Sequence, residues 1–396
     1  MRNSPRVHLA SCRAFFLASG LASCLALLSV TASARSPQPV GPGSIECPQA
    51  QKEQKEQKEQ KEQKEQKEHN AQKNRRSIDE EGFVKLGGIE QWVTIKGDDC
   101  ANPVILFVHG GPGNPNTVFA ALPYTAWEKD FTLVQWDQRG AGRTFTRNPA
   151  TAQSSLSIER MAQDGTELAS WVAAHLKTDK VILFGGSWGS ALSVHMAKAR
   201  PELFVAYVGT GQLVAHPENG IAAWRKALAQ ARAGGDTQTA DAIAALGEPP
   251  WTNPRNAGIF TRAARTLEAK TTMPAPKAWW GLATFYATPE MLAHYEAGED
   301  YSWIQFVGMK GNGMQSTLDL PKLGFDFKIP VFLIQGEKDL TTVPEVARRY
   351  FDAIRAPAKA FFLLPNTGHG PNPEMIDMQF TVLKTRVLPL LAHQEK

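Results

Sequence analysis

Short apolar runs alternate with amphipathic stretches through most of the chain. Four largely apolar segments, at residues 104–108, 131–136, 181–184 and 204–208, predict buried strands of a parallel sheet. Between the second and third segments, Ile158 to Leu176 carries apolar residues at helical spacing, which predicts a helix that covers the sheet. The alternation predicts an α/β fold with a mostly parallel, doubly wound sheet.

The same pattern sets the limits of the predicted globular domain. It begins at Gly82 with an antiparallel hairpin from Phe83 to Val93. Near the other end, strands at 331–335 and 360–364 flank a helix at about 343–354, and another helix follows near the C-terminus.

An insertion interrupts this rhythm at residues 213–320, which contain several helical segments and many aromatic residues. Helices inserted between two strands of a sheet predict a cap, with most of the aromatic side chains in the core of the cap and a few at a substrate pocket. The core would then comprise residues 82–212 and 321–396.

The N-terminal region has the three parts of a secretory signal peptide: arginines, an uncharged stretch at 14–30, and small residues at 32–34. We expect residues 1–34 to be removed, leaving an exported, periplasmic or secreted protein without membrane attachment. A membrane anchor is one alternative, because the uncharged stretch approaches the length that spans about 30 Å of hydrocarbon. Lipidation of Cys24, in a sequence resembling a bacterial lipobox, is another.

Residues 35–81 predict a disordered linker, with uninterrupted Gln-Lys-Glu repeats from Gln51 to Glu68 and no apolar residue in the repeats to bury. Beyond the signal peptide only Cys47 and Cys100 remain. In an oxidising compartment these two cysteines predict a disulfide, although two unrelated thiols are the alternative.

Composition narrows the classes of function. The formal charge of +4 falls to +1 once the three arginines of the signal peptide are gone, which gives no indication of a nucleic-acid partner. The chain has neither a His and Cys cluster with zinc spacing nor a glycine-rich phosphate motif between a strand and a helix. We therefore expect no metal and no cofactor.

The candidate nucleophile is Ser187, in the pentapeptide GGSWG at 185–189, which follows an apolar strand and precedes a predicted helix. The G-x-S-x-G pattern places its serine on a sharp strand-to-helix turn, where side chains at the two outer positions would collide. The alternative is a glycine-rich turn with an ordinary serine.

A nucleophilic serine needs a base to take its proton and an acid to orient that base. In proteins with this serine turn, the three residues occur along the chain in the order Ser, then Asp or Glu, then His. His369 is the candidate base, because it follows the last apolar strand in a glycine-flanked loop. Asp339, just beyond the preceding strand, is the candidate acid, with Glu337 as the second choice. The remaining histidines after the serine lack that loop position: His195, His216, His294 and His393.

Acyl transfer also needs N–H donors for an oxyanion. One is expected from Trp188, directly after the nucleophile, and one from the loop HGGPG at 109–113, which follows the first parallel strand. We predict the amide of Gly111 as this second donor. Gly110 is the second choice and a candidate substrate contact.

Three motifs in order, HGGPG at 109–113, DQRG at 137–140 and GGSWG at 185–189, resemble the proline iminopeptidase group of α/β hydrolases. The resemblance covers about residues 82–212 and 328–393. It implies an α/β-hydrolase fold and a Ser-Asp-His hydrolase that releases N-terminal residues, often proline, from small peptides without a metal. It also implies that Arg139 forms an ion pair rather than acting in catalysis.

The cap departs from the family pattern. Peptidases of this group hold the substrate amine with cap carboxylates, commonly in a Trp-Glu pair, and the cap here has no such pair. Glu296 and Glu299, followed by Asp300, are the candidates for this role, although an exposed acidic run can simply be a solvated face.

Three readings of the function remain. The first is an aminopeptidase or proline iminopeptidase, and the alternative on the same residues is a carboxylesterase or lactonase with a small ester substrate. A binding protein without catalysis is least favoured, because a complete set of catalytic residues would have no purpose in it. Dehalogenase and epoxide hydrolase activities are disfavoured, because the resemblance to those enzymes would require an aspartate nucleophile at the strand-to-helix turn where this chain has serine.

Overall fold

The computed structural model describes residues 77–120, 123–151 and 155–392. The predicted signal peptide, the Gln-Lys-Glu repeats, Cys24 and Cys47 lie outside these residues, as does His393. Within the described ranges, no helix is both long enough and apolar enough to cross a bilayer.

One eight-stranded sheet organises the described chain, in the order β1-β2-β4-β3-β5-β6-β7-β8. Strands β1 and β2 are antiparallel, β2 is antiparallel to β4, and every later pairing is parallel. The strands are β1 (Ile78–Leu86), β2 (Ile89–Gly97), β3 (Val104–Val108), β4 (Thr132–Trp136), β5 (Val181–Gly186), β6 (Phe204–Thr210), β7 (Val331–Gly336) and β8 (Lys359–Leu364). The predicted mostly parallel α/β sheet is confirmed.

The first strand begins earlier than the sequence pattern indicates. β1 starts at Ile78, which pairs with Gly97, so residues 78–81 belong to the sheet and not to the linker. Charged residues at 79–81 hide the pattern, because only one face of this edge strand is buried, at Ile78, Gly82, Val84 and Leu86.

Helices cover both faces of the sheet. They are α1 (Gly142–Arg147), α2 (Ile158–Leu176), α3 (Trp188–Ala199), α4 (His216–Ala233), α5 (Thr237–Ala245), α6 (Pro254–Glu268), α7 (Pro289–Val307), α8 (Pro344–Ala353), α9 (Pro373–Val382) and α10 (Leu388–Ala392). Alternate strand residues face opposite sides, so Leu106 joins the core under α2 and α3, whereas Ile105 packs with α9.

Helices α4 to α7 all lie between β6 and β7, in the segment predicted as the cap. Aromatic contacts hold α7 to the core: the rings of Phe145 and Tyr301 have centroids 5.5 Å apart, and those of Trp188 and Phe306 are 5.4 Å apart. At Gly298 an added Cβ would lie 3.1 Å from the Phe145 ring, so a glycine permits this close helix packing.

A buried ion pair ties the loop after β4 to α2. Arg139 binds the carboxylate of Asp164 with two hydrogen bonds, of 2.8 and 3.1 Å, and also donates to the Gly87 carbonyl oxygen. Arg160 donates to the same carboxylate, whose side chain is fully buried. The ion pair predicted for Arg139 is therefore present, and it joins the hairpin, the DQRG loop and α2.

We expect Asp164→Ala to lower the free energy of unfolding by about 3 to 5 kcal/mol, because it leaves the Arg139 guanidinium in a largely buried site without its carboxylate. Urea denaturation of the purified protein measures this change. The control is Asp352→Ala, which removes the exposed partner of Arg348 and should leave the midpoint almost unchanged. Equal losses in the two variants would contradict a structural role for the buried pair.

Candidate active site

Ser187 lies at the sharp turn between β5 and α3. Its backbone has φ +53° and ψ −123°, a conformation that is strained for a residue with a side chain. The flanking glycines make the turn possible, because an added Cβ at Gly189 would lie 1.9 Å from the Val108 carbonyl oxygen. At Gly185 it would lie 2.5 Å from the Gly189 carbonyl oxygen. The turn therefore requires glycine at both outer positions of the pentapeptide.

Two loops at the same edge of the sheet bring His369 and Asp339 to this serine. The His369 Nε2 atom lies 2.9 Å from Ser187 Oγ, and its Nδ1 atom lies 3.0 Å from Asp339 Oδ2. Asp339 follows β7 and His369 follows β8, and these parallel strands end side by side. The three predicted residues thus form one continuous hydrogen-bonded chain, which can carry a proton from the serine hydroxyl to the imidazole.

The Asp339 carboxylate is buried and almost saturated with donors. Its Oδ1 atom accepts the backbone N–H groups of Thr341 and Thr342, at 2.7 and 2.8 Å. Its Oδ2 atom accepts the Thr342 hydroxyl at 2.8 Å and the Gln335 amide at 2.9 Å. Burial alone would raise the pKa of Asp339, but His369 and these donors outweigh it and lower the pKa below its ordinary value.

The alternative acid, Glu337, has a different environment. Its side chain is 44% exposed and forms an ion pair with Lys338 at 2.8 Å, which lowers the pKa of Glu337. Between the two acids of this loop, Asp339 is the one in hydrogen-bond contact with His369.

The imidazole of His369 has a raised pKa. Burial acts to lower this pKa, but the neighbouring carboxylates of Asp339 and Glu268 stabilise the protonated ring and reverse the shift. Arg265 opposes them from the cap. The ring is therefore held as a stronger base than a free histidine.

The loop after β3 lies directly against the serine. An added Cβ at Gly110 would be 3.3 Å from Ser187 Cβ, and Gly111 has φ +107°, a conformation that favours glycine. The predicted donors, the amides of Gly111 and Trp188, belong to the two segments that meet here. Their role toward an oxyanion stays a prediction.

A buried network fixes that loop. The Nε2 atom of His109 accepts the backbone N–H of Gln138 at 3.1 Å, while the Gln138 amide donates to the His109 carbonyl oxygen at 2.9 Å. Trp188 Nε1 donates to the same glutamine side chain at 3.1 Å. Burial lowers the pKa of His109 to about 4, so the ring is neutral and can accept this bond. The network joins all three sequence motifs.

The two predicted cap acids differ in placement. Glu299 is half-buried, lies against Gly113 and interacts with Asn114 of the loop after β3. Tyr295, one turn earlier in α7, donates its hydroxyl to Asn114 at 2.9 Å. Burial raises the pKa of Glu299, with Asn114 and Arg265 opposing the shift. Glu296 is exposed, so Glu299 is the better candidate of the two for the predicted contact with a substrate amine.

Sequence reasoning missed Glu268, the last residue of α6. Only 6% of this residue is exposed, and its carboxylate accepts backbone N–H groups from Leu340 and His369. A signal for it existed, because Glu268 shares the apolar face of α6 with Phe260 and Ala264, at helical spacing. An acid on a buried helix face needs a partner in the fold.

The histidines that the sequence analysis set aside lie elsewhere in the fold. His195 lies in α3, and His216 and His294 lie in the cap. Cys100 is buried and disulfide-bonded, but Cys47 lies outside the described residues, so their pairing stays a prediction. Among the residues that the structure describes, no group of three or more His, Cys, Asp or Glu side chains is placed to hold a metal ion.

Comparison with known proteins defines the class. Residues 103–374 match the alpha/beta hydrolase fold family, and the chain belongs to that family. A probable aminopeptidase of Bacillus subtilis (strain 168), YbaC, is 28% identical over 309 residues, which cover 76% of this chain and 93% of that protein. A proline iminopeptidase of Neisseria meningitidis is 30% identical over 146 residues, covering 35% of this chain and 42% of that protein. The predicted resemblance is confirmed.

Solved structures share the fold. The proline iminopeptidase of Mycobacterium smegmatis matches with a TM-score of 0.51 and 21% identity, covering 79% of this chain and 98% of that chain. A proline iminopeptidase-related protein from Thermus thermophilus matches with a TM-score of 0.53 and 18% identity, covering 79% and 99%. Identities this low show the common fold alone.

We expect Asp339→Asn to lower the pKa of His369, because the neutral amide no longer stabilises the protonated ring. An NMR titration of protein labelled at histidine measures this pKa. Glu337→Gln is the matched control, since it neutralises an acid in the same loop that pairs with Lys338 instead. A shift in the Glu337 variant without one in the Asp339 variant would reverse the assignment of the acid.

Proposed function

We propose that this protein is an exported serine hydrolase, with Ser187 as nucleophile, His369 as general base and Asp339 as the acid that orients the base. The observation that carries the proposal is the hydrogen-bonded chain from Ser187 Oγ through His369 to Asp339. Its export rests on the N-terminal sequence pattern, which lies outside the described residues.

The proposed reaction proceeds through an acyl-enzyme. Ser187 Oγ attacks the substrate carbonyl carbon while its proton passes to His369 Nε2, and the carbonyl oxygen becomes an oxyanion bound by the amides of Gly111 and Trp188. His369 then donates that proton to the leaving amine as the carbonyl–nitrogen bond breaks. Water repeats the sequence on the acyl-enzyme, with His369 as base, and releases the acid and the free serine.

Within this class we propose an aminopeptidase of the proline iminopeptidase type, which releases small N-terminal residues from peptides. The similarity to a probable aminopeptidase over 93% of that protein supports this choice. A substrate ammonium in a buried pocket needs a carboxylate, because an unpaired buried charge costs several kcal/mol. Glu299 supplies one beside the loop that contacts Ser187.

The nucleophile is tested by covalent labelling. We expect a fluorophosphonate to label the protein once per chain, at Ser187, and Ser187→Ala to abolish the label. His369→Ala should slow labelling by at least about 10³-fold, as for other triads. In the wild type the rate should fall as the pH drops through the raised pKa of His369, because a protonated imidazole cannot accept the serine proton.

Ser193→Ala is the control for this experiment. Its hydroxyl is buried on α3 and, within the described part of the chain, has no hydrogen-bond partner, so its loss should leave labelling intact. Labelling that survives Ser187→Ala would show that another residue is the nucleophile. If the wild-type protein is not labelled at any pH, the result would favour the alternative that this chain is a binding protein without catalysis.

Substrate class is tested with Glu299→Gln. We expect this change to raise KM for prolyl and alanyl arylamides by about 10-fold or more, because the amide cannot neutralise the substrate ammonium. Substrates with an acylated N-terminus should be affected little. Steady-state kinetics on both substrate sets measure the difference, and the exposed Glu296→Gln is the matched control.

Simple esters should be assayed in parallel, because they require the same nucleophile but no amine site. Efficient cleavage of p-nitrophenyl esters without amine-dependent hydrolysis of arylamides would replace the aminopeptidase proposal with a carboxylesterase or lactonase. The nucleophile and base would keep their proposed roles in that case, since both reactions use the same acyl-enzyme.

A further inference from the structure

One buried carboxylate joins the cap to both loops that complete the hydrogen-bonded chain. Glu268 Oε1 accepts the backbone N–H of Leu340 at 2.6 Å, and Glu268 Oε2 accepts the backbone N–H of His369 at 2.9 Å. Leu340 directly follows Asp339. The two oxygens of a single side chain therefore fix the backbone next to the acid and the backbone of the base.

The chain after Glu268 continues this contact. The Met273 N–H donates to the Asn366 carbonyl oxygen at 2.8 Å, and the Asn372 side chain donates to the Met273 carbonyl oxygen at 3.3 Å. These bonds attach residues 268–273 along the whole loop that carries His369.

The loop is shaped to receive the carboxylate. At Gly368 an added Cβ would lie 2.6 Å from Glu268 Oε2, so a side chain at this position would displace the glutamate. The glycine before His369 therefore has a local purpose beyond flexibility, because it leaves room for the acceptor of the His369 N–H.

The charges around the glutamate form a small set. Asp339 and His369 face it from the core, and Arg265 acts on His369 from the same helix, α6. Burial, followed by the charge of Asp339, raises the pKa of Glu268, whereas His369 and the two N–H donors lower it. In its ionised form Glu268 adds a second negative charge beside the imidazole.

We propose that Glu268 is a positioning residue, which clamps the Asp339 and His369 loops together and holds the imidazole in its orientation toward Ser187. The inference rests on the proposed function, since orientation toward the serine matters only if His369 is the base. Under this proposal, the geometry of Ser187, His369 and Asp339 depends on correct docking of the cap. A helix end that lies outside the core sheet thus completes the site.

The test compares Glu268→Gln and Glu268→Ala with Glu290→Gln, which neutralises an exposed acid of the cap. Hydrogen exchange reports the two amides directly, in peptides that cover 337–341 and 366–371. The His369 pKa comes from an NMR titration, and the fluorophosphonate labelling rate reports the nucleophile. Thermal unfolding confirms that each variant is folded, and the glutamine variant preserves the side-chain volume if alanine does not fold.

We expect Glu268→Gln to remove protection from at least one of the two amides, because the glutamine nitrogen cannot accept a hydrogen bond. The pKa of His369 should fall, since a carboxylate that raises it is gone. Labelling at high pH, where the imidazole is neutral in all variants, should slow by about 10-fold or more, as expected for a lost buried hydrogen bond. Glu290→Gln should match the wild type in all three measurements.

The outcomes separate this inference from the proposed function. Unchanged amide protection and an unchanged His369 pKa in both Glu268 variants would overturn the clamp. A higher KM for free-amine substrates with those two measurements unchanged would also overturn it and assign Glu268 to substrate binding. A wild type that is not labelled at Ser187 would refute the serine hydrolase, while the exchange and NMR results would still decide whether Glu268 holds the two loops.

Discussion

The contact between Asp339 and His369 is the interaction on which the site depends. It joins the loops after β7 and β8, and it sets the ring so that Nε2 faces Ser187. A carboxylate buried at this depth is costly unless its lone pairs are occupied. Two backbone N–H groups, a hydroxyl and an amide donate hydrogen bonds to the Asp339 carboxylate. These bonds help to keep the carboxylate charged beside the imidazole.

The parallel sheet supplies the frame for this contact. Strands β5, β7 and β8 end at one edge, so the turn with Ser187 and the two loops project from the same side of the molecule. The strained backbone of Ser187 persists because Gly185 and Gly189 pack against neighbouring backbone atoms that tolerate no Cβ. Rigid strand ends thus hold three residues that lie far apart in sequence within hydrogen-bond distance.

The inserted segment contacts the loops that carry the site residues. Arg143 lies between the rings of Trp92 and Phe285, at 4.1 Å from each centroid, and so joins the hairpin to the cap. Trp188, next to the serine, packs on Phe306 of α7. Tyr295 and Glu299 reach the loop after β3, and Glu268 reaches the loops that carry Asp339 and His369. The loops after β3, β7 and β8 and the turn at Ser187 therefore each have a contact from an inserted helix.

The sequence by itself determined the sheet, the insertion and the identity of Ser187, Asp339 and His369 as candidates, because these depend on local signals. Apolar runs, glycine spacing and chain order are readable without knowing which segments meet. Only the tertiary structure showed that Asp339, and not Glu337, contacts His369. It also showed that Glu299 is half-buried while Glu296 is exposed, and that residues 78–81 join the sheet. The sequence shows Glu268 as an acid on an apolar helix face, but it could not identify the partners of Glu268. These are backbone amides of loops 72 and 101 positions away, and a backbone amide leaves no mark in a sequence.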